Sequence, residues 1–516
     1  MKYAGSAVPQ LLTGRKSALI IAYSLLPMWY WLYLFLLVSG SVLSFISIIF
    51  LLFAPTVFFA YFVTPQRFRW FLLLCSSYLF YAYWDWRYIP LLFASSLVDY
   101  LCALGMAKHK SRISRRPYLL LSLAVNLGVL FGFKYWNFVG FNINQLFGSH
   151  IELHHLLLPL GLSFYTLQTL SYTFDVYLDK IKPEKHLGFF CLYVSFFPQL
   201  VAGPIERSRS LLPQLKSLSR PTLYQFRYGL LLMLWGFFIK LVIADNLTPF
   251  INAVYFTEEV FQVWIYWLVG ALVTFKVYCD FMAYSEIARG LAMLFGVRLT
   301  VNFRRPLLAT HLRGFWQRWH ISLTRWIGDY IQIPLLRRFP KEPSRSLVTL
   351  VTLMIIGLWH GASWNFILFG LFHGTVLVLW GPAVRSLKRL GIYSANHSNA
   401  WGRLCLALVL MFSAPMFFIV DTDVLFSVLR NMTGLSGSAD LFSVFKAHGK
   451  FLMAQACIGL MLLSLFSYRA EYHANDIIEC VSHISSVARW LTAIGVGLVI
   501  LLLGKFSSEP FIYFEF

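Results

Sequence analysis

Two histidines lie where histidine is costly. His360 closes a charge-free apolar run from Ser346 to Trp359, in GLWHGASWNF, and His320 sits within FWQRWHISLTRW. An imidazole among apolar residues is expensive unless it has a partner or a task, because its nitrogens lose water there. Burial favours the neutral ring, which leaves one nitrogen free to accept a proton near neutral pH. Such a group suits a general base that takes the proton of a hydroxyl so that the oxygen attacks an acyl carbonyl. The plainer role is structural: a histidine in an interfacial helix that bonds a backbone carbonyl. His373, in LFHGT, is a third histidine in apolar surroundings, whereas His311 in ATHLRG reads as a loop residue.

The surrounding sequence must position these rings. Gly357 and Gly361 flank His360 and let another backbone or a thin substrate come close. On a continuous helix Trp316, Trp319, His320 and Leu323 share one face at i, i+3, i+4 and i+7, with Arg318 and Arg325 on others. The whole stretch is basic: from Arg298 to Arg345 ten Lys or Arg stand against two acids, Asp329 and Glu342. The pairs Arg304-Arg305 and Arg337-Arg338 could hold the phosphates of a nucleotide thioester such as coenzyme A, or could simply fix topology. Asp280 and Asp329 could orient a histidine or form a structural ion pair with an arginine.

Composition sets the class. Of 516 residues 59% are apolar and 13% charged, about half the charged share of a globular domain. The chain therefore reads as an all-α, polytopic membrane bundle, with ten to thirteen spans each needing about 20 apolar residues. No charge appears between Lys16 and Arg67, which leaves room for two spans with a turn at Ser39-Gly40-Ser41. The net charge of +21 sits in short loops such as Lys108–Arg116, where it orients a membrane protein, so nucleic-acid binding is not indicated. Pro159–Asp179 is apolar but dotted with Ser, Thr, Gln and Asp, and is expected to face the protein interior or a wet cavity. Gly203-Pro204 breaks the chain within VAGPIER, and broken backbone at membrane depth must be buried in protein or line a cavity. Tyr278–Gly296, carrying Asp280, Glu286 and Arg289, reads as a short re-entrant or interfacial amphipathic helix. The seven cysteines are scattered, with no C-x-x-C, and imply neither a disulfide framework nor a zinc site. The signatures of phosphate-binding loops, serine hydrolases and zincins are absent.

Four segments in order resemble a known family. VAGPIERSRSLLPQL, YCDFMAYSEIARGLAMLFG, NFRRPLLATHLRGFWQRWHISLTRWIGDYIQIPL and GLWHGASWNFILFGLFHG are similar to the bacterial membrane-bound O-acyltransferases, nearest to the alginate O-acetyltransferase branch. The resemblance runs from about Phe45 to the carboxyl end, FIYFEF. It implies a helical bundle, with re-entrant or interfacial helices, around a central tunnel, which moves an acyl group from a cytoplasmic thioester onto a hydroxyl. It implies that His360 is the catalytic base and that His320 acts near the reaction centre. Substrate and donor contacts are expected from Trp316, Arg318, Trp319, Asp329, Tyr330, Trp359, Asn365, Asn302 and Arg304. No metal and no bound cofactor are expected; acetyl-coenzyme A or another acyl thioester is the donor substrate. The implied setting is the bacterial inner membrane, with an exopolysaccharide such as alginate as acceptor, reached through periplasmic or membrane-anchored partner proteins.

Residues 1–41 look like an extra amino-terminal span ahead of an acyltransferase domain over 42–516, with its catalytic core at about 278–380. The chain departs from the family at LLRRFPKEPSRS and at MFFIVDTD (Met416–Asp423), changes that bear on donor docking and partner choice. Two other readings stand beside this one. The first is D-alanyl transfer to teichoic acid from a carrier protein. The second is a non-enzymatic polysaccharide exporter or flippase, which would be expected to carry repeats or a charged transmembrane relay.

Overall fold

The computed structural model of the chain describes residues 45–154, 156–201, 203–390, 398–434, 485–506 and 511. The expected span within 1–41 and the apolar run at 451–467 lie outside the described residues. The described elements are helices, the form that lets each backbone N–H and C=O pair within its own segment where lipid offers no partner. Seven described stretches are long and apolar enough to cross a membrane: Gln66–Ala107, Arg112–Phe147, Leu223–Tyr255, Val263–Leu294, Trp364–Ser386, Asn399–Phe418 and Ser486–Leu503. Ile49–Val63 and Ser344–His360 are shorter and also apolar. The protein is a multi-pass helical membrane protein, and Leu491, Leu498, Leu501 and Leu502 of the last span face outward, as lipid contact allows.

Val263–Leu294 runs through the middle as one helix of 32 residues. This corrects the reading of Tyr278–Gly296 as a short re-entrant or interfacial piece. Its charges turn inward and pair instead of seeking the interface. The Lys240 ammonium lies 2.7 Å from Asp245 and 2.7 Å from Asp280, all three nearly inaccessible. Lys276 donates to Thr248 Oγ1 at 2.7 Å, and Arg289 pairs with Glu286 three residues before it. Lys240 belongs to a π-helical turn, Ile239–Ala244, the kind of local bulge that interrupts a regular helix.

Leu162–Tyr177 is buried along almost its whole length, as its polar-dotted sequence requires. Beside it, buried Asp99 accepts from Asn126 Nδ2 at 2.8 Å, joining the helices Ile89–Ala107 and Arg112–Leu130. The basic segment between the central helix and Ser344–His360 breaks into short helices, Leu312–Arg318, Ile321–Ile327 and Ile333–Arg338. These breaks shape the site.

Candidate active site

His360 is the last residue of helix Ser344–His360, and the chain returns at once in helix Trp364–Arg389. The two helices pack backbone to backbone. A Cβ added at Gly357 would lie 2.0 Å from the Phe366 carbonyl oxygen, and one at Gly370 would lie 2.3 Å from that of Leu353. No larger residue fits either crossing, the small-residue contact by which helices associate closely in lipid. His360 is 2% exposed. Its ring centroid stands 5.1 Å from Trp359 and 5.0 Å from Phe417.

His320 occupies a corner between two helices, which corrects the continuous-helix face drawn through Trp316, Trp319, His320 and Leu323. Leu312–Arg318 ends before it, Ile321–Ile327 begins after it, and His320 itself has φ 41° and ψ 56°. That left-handed conformation costs a residue with a Cβ about 1–3 kcal/mol and tends to persist at functional positions. The corner is held from outside the helices. The Ile321 N–H donates to the Asn302 carbonyl at 2.9 Å and the Ser322 N–H to Asn302 Oδ1 at 3.2 Å. Asn302 thus caps the free amides at the start of the second helix. The VAGPIER loop braces the same corner: Ile205 N–H donates to Ser322 Oγ at 3.0 Å, and Glu206 accepts from the Thr300 amide.

The His320 imidazole is 1% exposed and packs 4.6 Å from Phe281 and 5.9 Å from Trp359, centroid to centroid. Neither ring nitrogen has a hydrogen-bond partner among the described residues. Leaving a buried polar group in that condition is costly. Its hydrogen-bonding capacity is therefore available to a polar substrate.

A chamber of about 50 Å³ lies beside His360, lined also by Trp316, Trp319, Phe369, His373, Leu410, Ser413 and Phe417 among others. At about 50 Å³ it exceeds the roughly 15 Å³ that one water needs and is room for a small group. His373 enters from the returning helix. Its Nε2 is 3.0 Å from Ser413 Oγ, and Ser413 gives its own hydrogen to the Leu410 carbonyl at 3.2 Å. His373 Nδ1 has no partner among the described residues. The Trp316 ring stands edge-on to His373 at 5.3 Å, and its indole N–H likewise has no acceptor among those residues.

Trp316 also lines a second, polar cavity of about 410 Å³, together with Arg313, Gln317, Thr324, Glu342, Arg345 and Thr349. One side chain is therefore a common wall of the histidine chamber and a larger space edged by the basic segment.

The structure gathers Trp316, Trp319 and His360 at the chamber, with Trp359 joining His360 to His320. The remaining candidates fall elsewhere. Arg318 accepts the Arg304 amide on its carbonyl at 2.9 Å, and the Arg304 side chain is exposed. Asp329 pairs with Arg207 at 3.2 Å. The Tyr330 hydroxyl donates to Asp175 at 2.8 Å, and Arg207 stacks 4.5 Å from the Tyr330 ring. Asn365 ties the hairpin to the end of helix Ser398–Phe418 by donating to the carbonyls of Ile419 (2.7 Å) and Val420 (2.9 Å). Sequence reasoning singled out His373 without placing it beside His360. Their separation of thirteen residues across a glycine-bounded turn was the available signal.

A helical bundle with buried histidines against an aromatic-walled chamber is the architecture of a membrane protein with a place for chemistry inside it. The family model described as the membrane-bound O-acyltransferase family matches residues 78–395, a range that includes both histidines. A probable alginate O-acetylase of Azotobacter vinelandii is 31% identical over 501 residues, covering 90% of this chain and 98% of that protein. A peptidoglycan O-acetyltransferase of Helicobacter pylori is 32% identical over 411 residues, covering 74% of this chain and 76% of its own. A teichoic acid D-alanyltransferase of Streptococcus thermophilus is 28% identical over 248 residues, 45% of this chain and 59% of its own. The chain belongs to the membrane-bound O-acyltransferase family. It is an O-acyltransferase.

Proposed function

We propose that this protein O-acetylates an exopolysaccharide, drawing the acetyl group from a cytoplasmic thioester and passing it across the bacterial inner membrane. The observation that carries this reading is the pair of spaces sharing Trp316: a polar cavity reached by Arg313 and Arg345, and behind it the small chamber that holds His360. A thioester whose phosphates lie against the basic segment would present its acyl end toward Trp316. In the transfer step His360 accepts the proton of a hydroxyl, and the oxygen attacks the acyl carbonyl carbon. The carbon–sulfur bond breaks, and the leaving thiolate takes the proton back from the imidazolium. His320 hydrogen-bonds the reacting groups, while Trp316, Trp319 and Trp359 exclude the water that would hydrolyse the donor.

Size and charge favour acetyl. The chamber is small, about 50 Å³, against about 410 Å³ for the polar cavity. Among the described residues none that lines the chamber is acidic, so the ammonium of a D-alanyl group would be desolvated there without a counter-charge from them. The relatives that act on alginate and on peptidoglycan support a polysaccharide acceptor, delivered through partner proteins outside the membrane. Asn302 supports the site by holding the corner at His320.

Membrane vesicles containing the protein, supplied in parallel with labelled acetyl-coenzyme A and labelled D-alanyl carrier protein, test the reading. Ester-linked label in the polysaccharide fraction from the acetyl donor is expected. Label from the D-alanyl donor alone, or polysaccharide export with no label from either, would overturn it.

A further inference from the structure

Resting on the reading of His360 as the catalytic base, we propose that Lys134 is its positioning residue, holding the end of the His360 helix through the carbonyls of Trp359 and His360. The last carbonyls of a helix have no partner within it, and here they lie in apolar surroundings where water is scarce. Lys134 Nζ donates to the Trp359 oxygen at 2.8 Å and to the His360 oxygen at 2.9 Å. The Tyr135 hydroxyl donates to the Leu358 oxygen at 3.0 Å. Three consecutive carbonyls are thus capped from two adjacent side chains. Adjacent residues on an α-helix point about 100° apart. Both belong to a π-helical turn, Phe131–Tyr135, set between Arg112–Leu130 and Trp136–Phe147.

The arrangement does more than satisfy a helix end. One of the capped carbonyls belongs to His360 itself, so the lysine fixes the backbone from which the imidazole projects. Beyond His360 the chain turns immediately, and the Gly361 amide reaches back to Gly357 only at 3.4 Å, a weak intrahelical bond. Lys134 is not among the residues lining the chamber, so it acts through His360 rather than on substrate.

Lys134→Met keeps the length of the side chain and removes its donors; Lys134→Arg restores charge and donors. In lipid vesicles at equal folded protein, Lys134→Met is expected to lower kcat about ten- to hundredfold, as misplacement of a reacting group does. KM for the acyl thioester should change by less than about twofold, because ground-state binding is untouched. Lys134→Arg should recover most of the lost kcat. Wild-type kcat in Lys134→Met, or a loss carried wholly by KM, would overturn the proposal. If Lys134→Met does not accumulate, Lys134→Gln, whose shorter side chain cannot reach both carbonyls, decides on the same readout: lowered kcat at unchanged KM supports it, and unchanged kcat overturns it. His360→Ala in the same vesicles separates the two premises. An active His360→Ala removes the catalytic reading itself, whereas an inactive one beside a normal Lys134→Met removes only the positioning role.

Discussion

The Trp359 indole packs 5.9 Å from the ring of His320, although Trp359 lies in helix Ser344–His360 and His320 at the corner between two short helices. One aromatic ring therefore spans the two histidines, and the left-handed corner at His320 exists to bring its imidazole there. Asn tolerates that backbone conformation better than other non-glycine residues. His320→Asn should accordingly preserve the corner while removing the ring. Acyl transfer is expected to fall about a hundredfold or more, the usual effect of deleting a donor to the reacting group. Melting temperature should stay near wild type, and turnover assays at matched folded protein check both.

With the acyl group seated in the chamber as proposed, the chamber walls set acyl length. Leu410→Ala removes three carbons from its wall and should admit butyryl. A methylene in an apolar pocket discriminates by about 10–200-fold. Competition between acetyl and butyryl thioesters should therefore shift by one to two orders of magnitude toward butyryl. An unchanged ratio would place the acyl group elsewhere.

The glycine hairpin admits no methyl group. With a Cβ only 2.0 Å from the Phe366 oxygen, Gly357→Ala must push the two helices apart. Overpacking of this kind costs about 1–3 kcal/mol or more. A lowered melting temperature and loss of transfer are both expected, because His360 and His373 are brought together by that crossing.

The Lys240–Asp245–Asp280 cluster is a structural device. Lys240→Met leaves two buried carboxylates without their shared cation, a change worth about 3–5 kcal/mol of destabilisation. Replacing Asp245 and Asp280 by Asn in the same chain should restore much of the loss. Thermal unfolding in detergent of the single and triple variants reads this directly.

What the sequence conveyed follows from where its signals lie. The histidines and tryptophans stood out because polar atoms at the end of an apolar run are costly in any fold. The central helix was misread because Asp280 looks like an interfacial charge until Lys240, forty residues earlier, is seen against it. The corner at His320 carries no glycine or proline to announce it; its cap comes from Asn302, eighteen residues away. Lys134, alone in FGFKYWNF, gave no hint of its partners, since its task is to bond backbone carbonyls more than 200 residues distant.

The proposed transfer rests on His360. The most direct measurement is the O-acetyl content of exported polysaccharide, read by proton NMR, in cells carrying His360→Ala at wild-type membrane expression. The account predicts loss of the ester signals with export of the polymer unchanged. Ester signals at the wild-type level would contradict it.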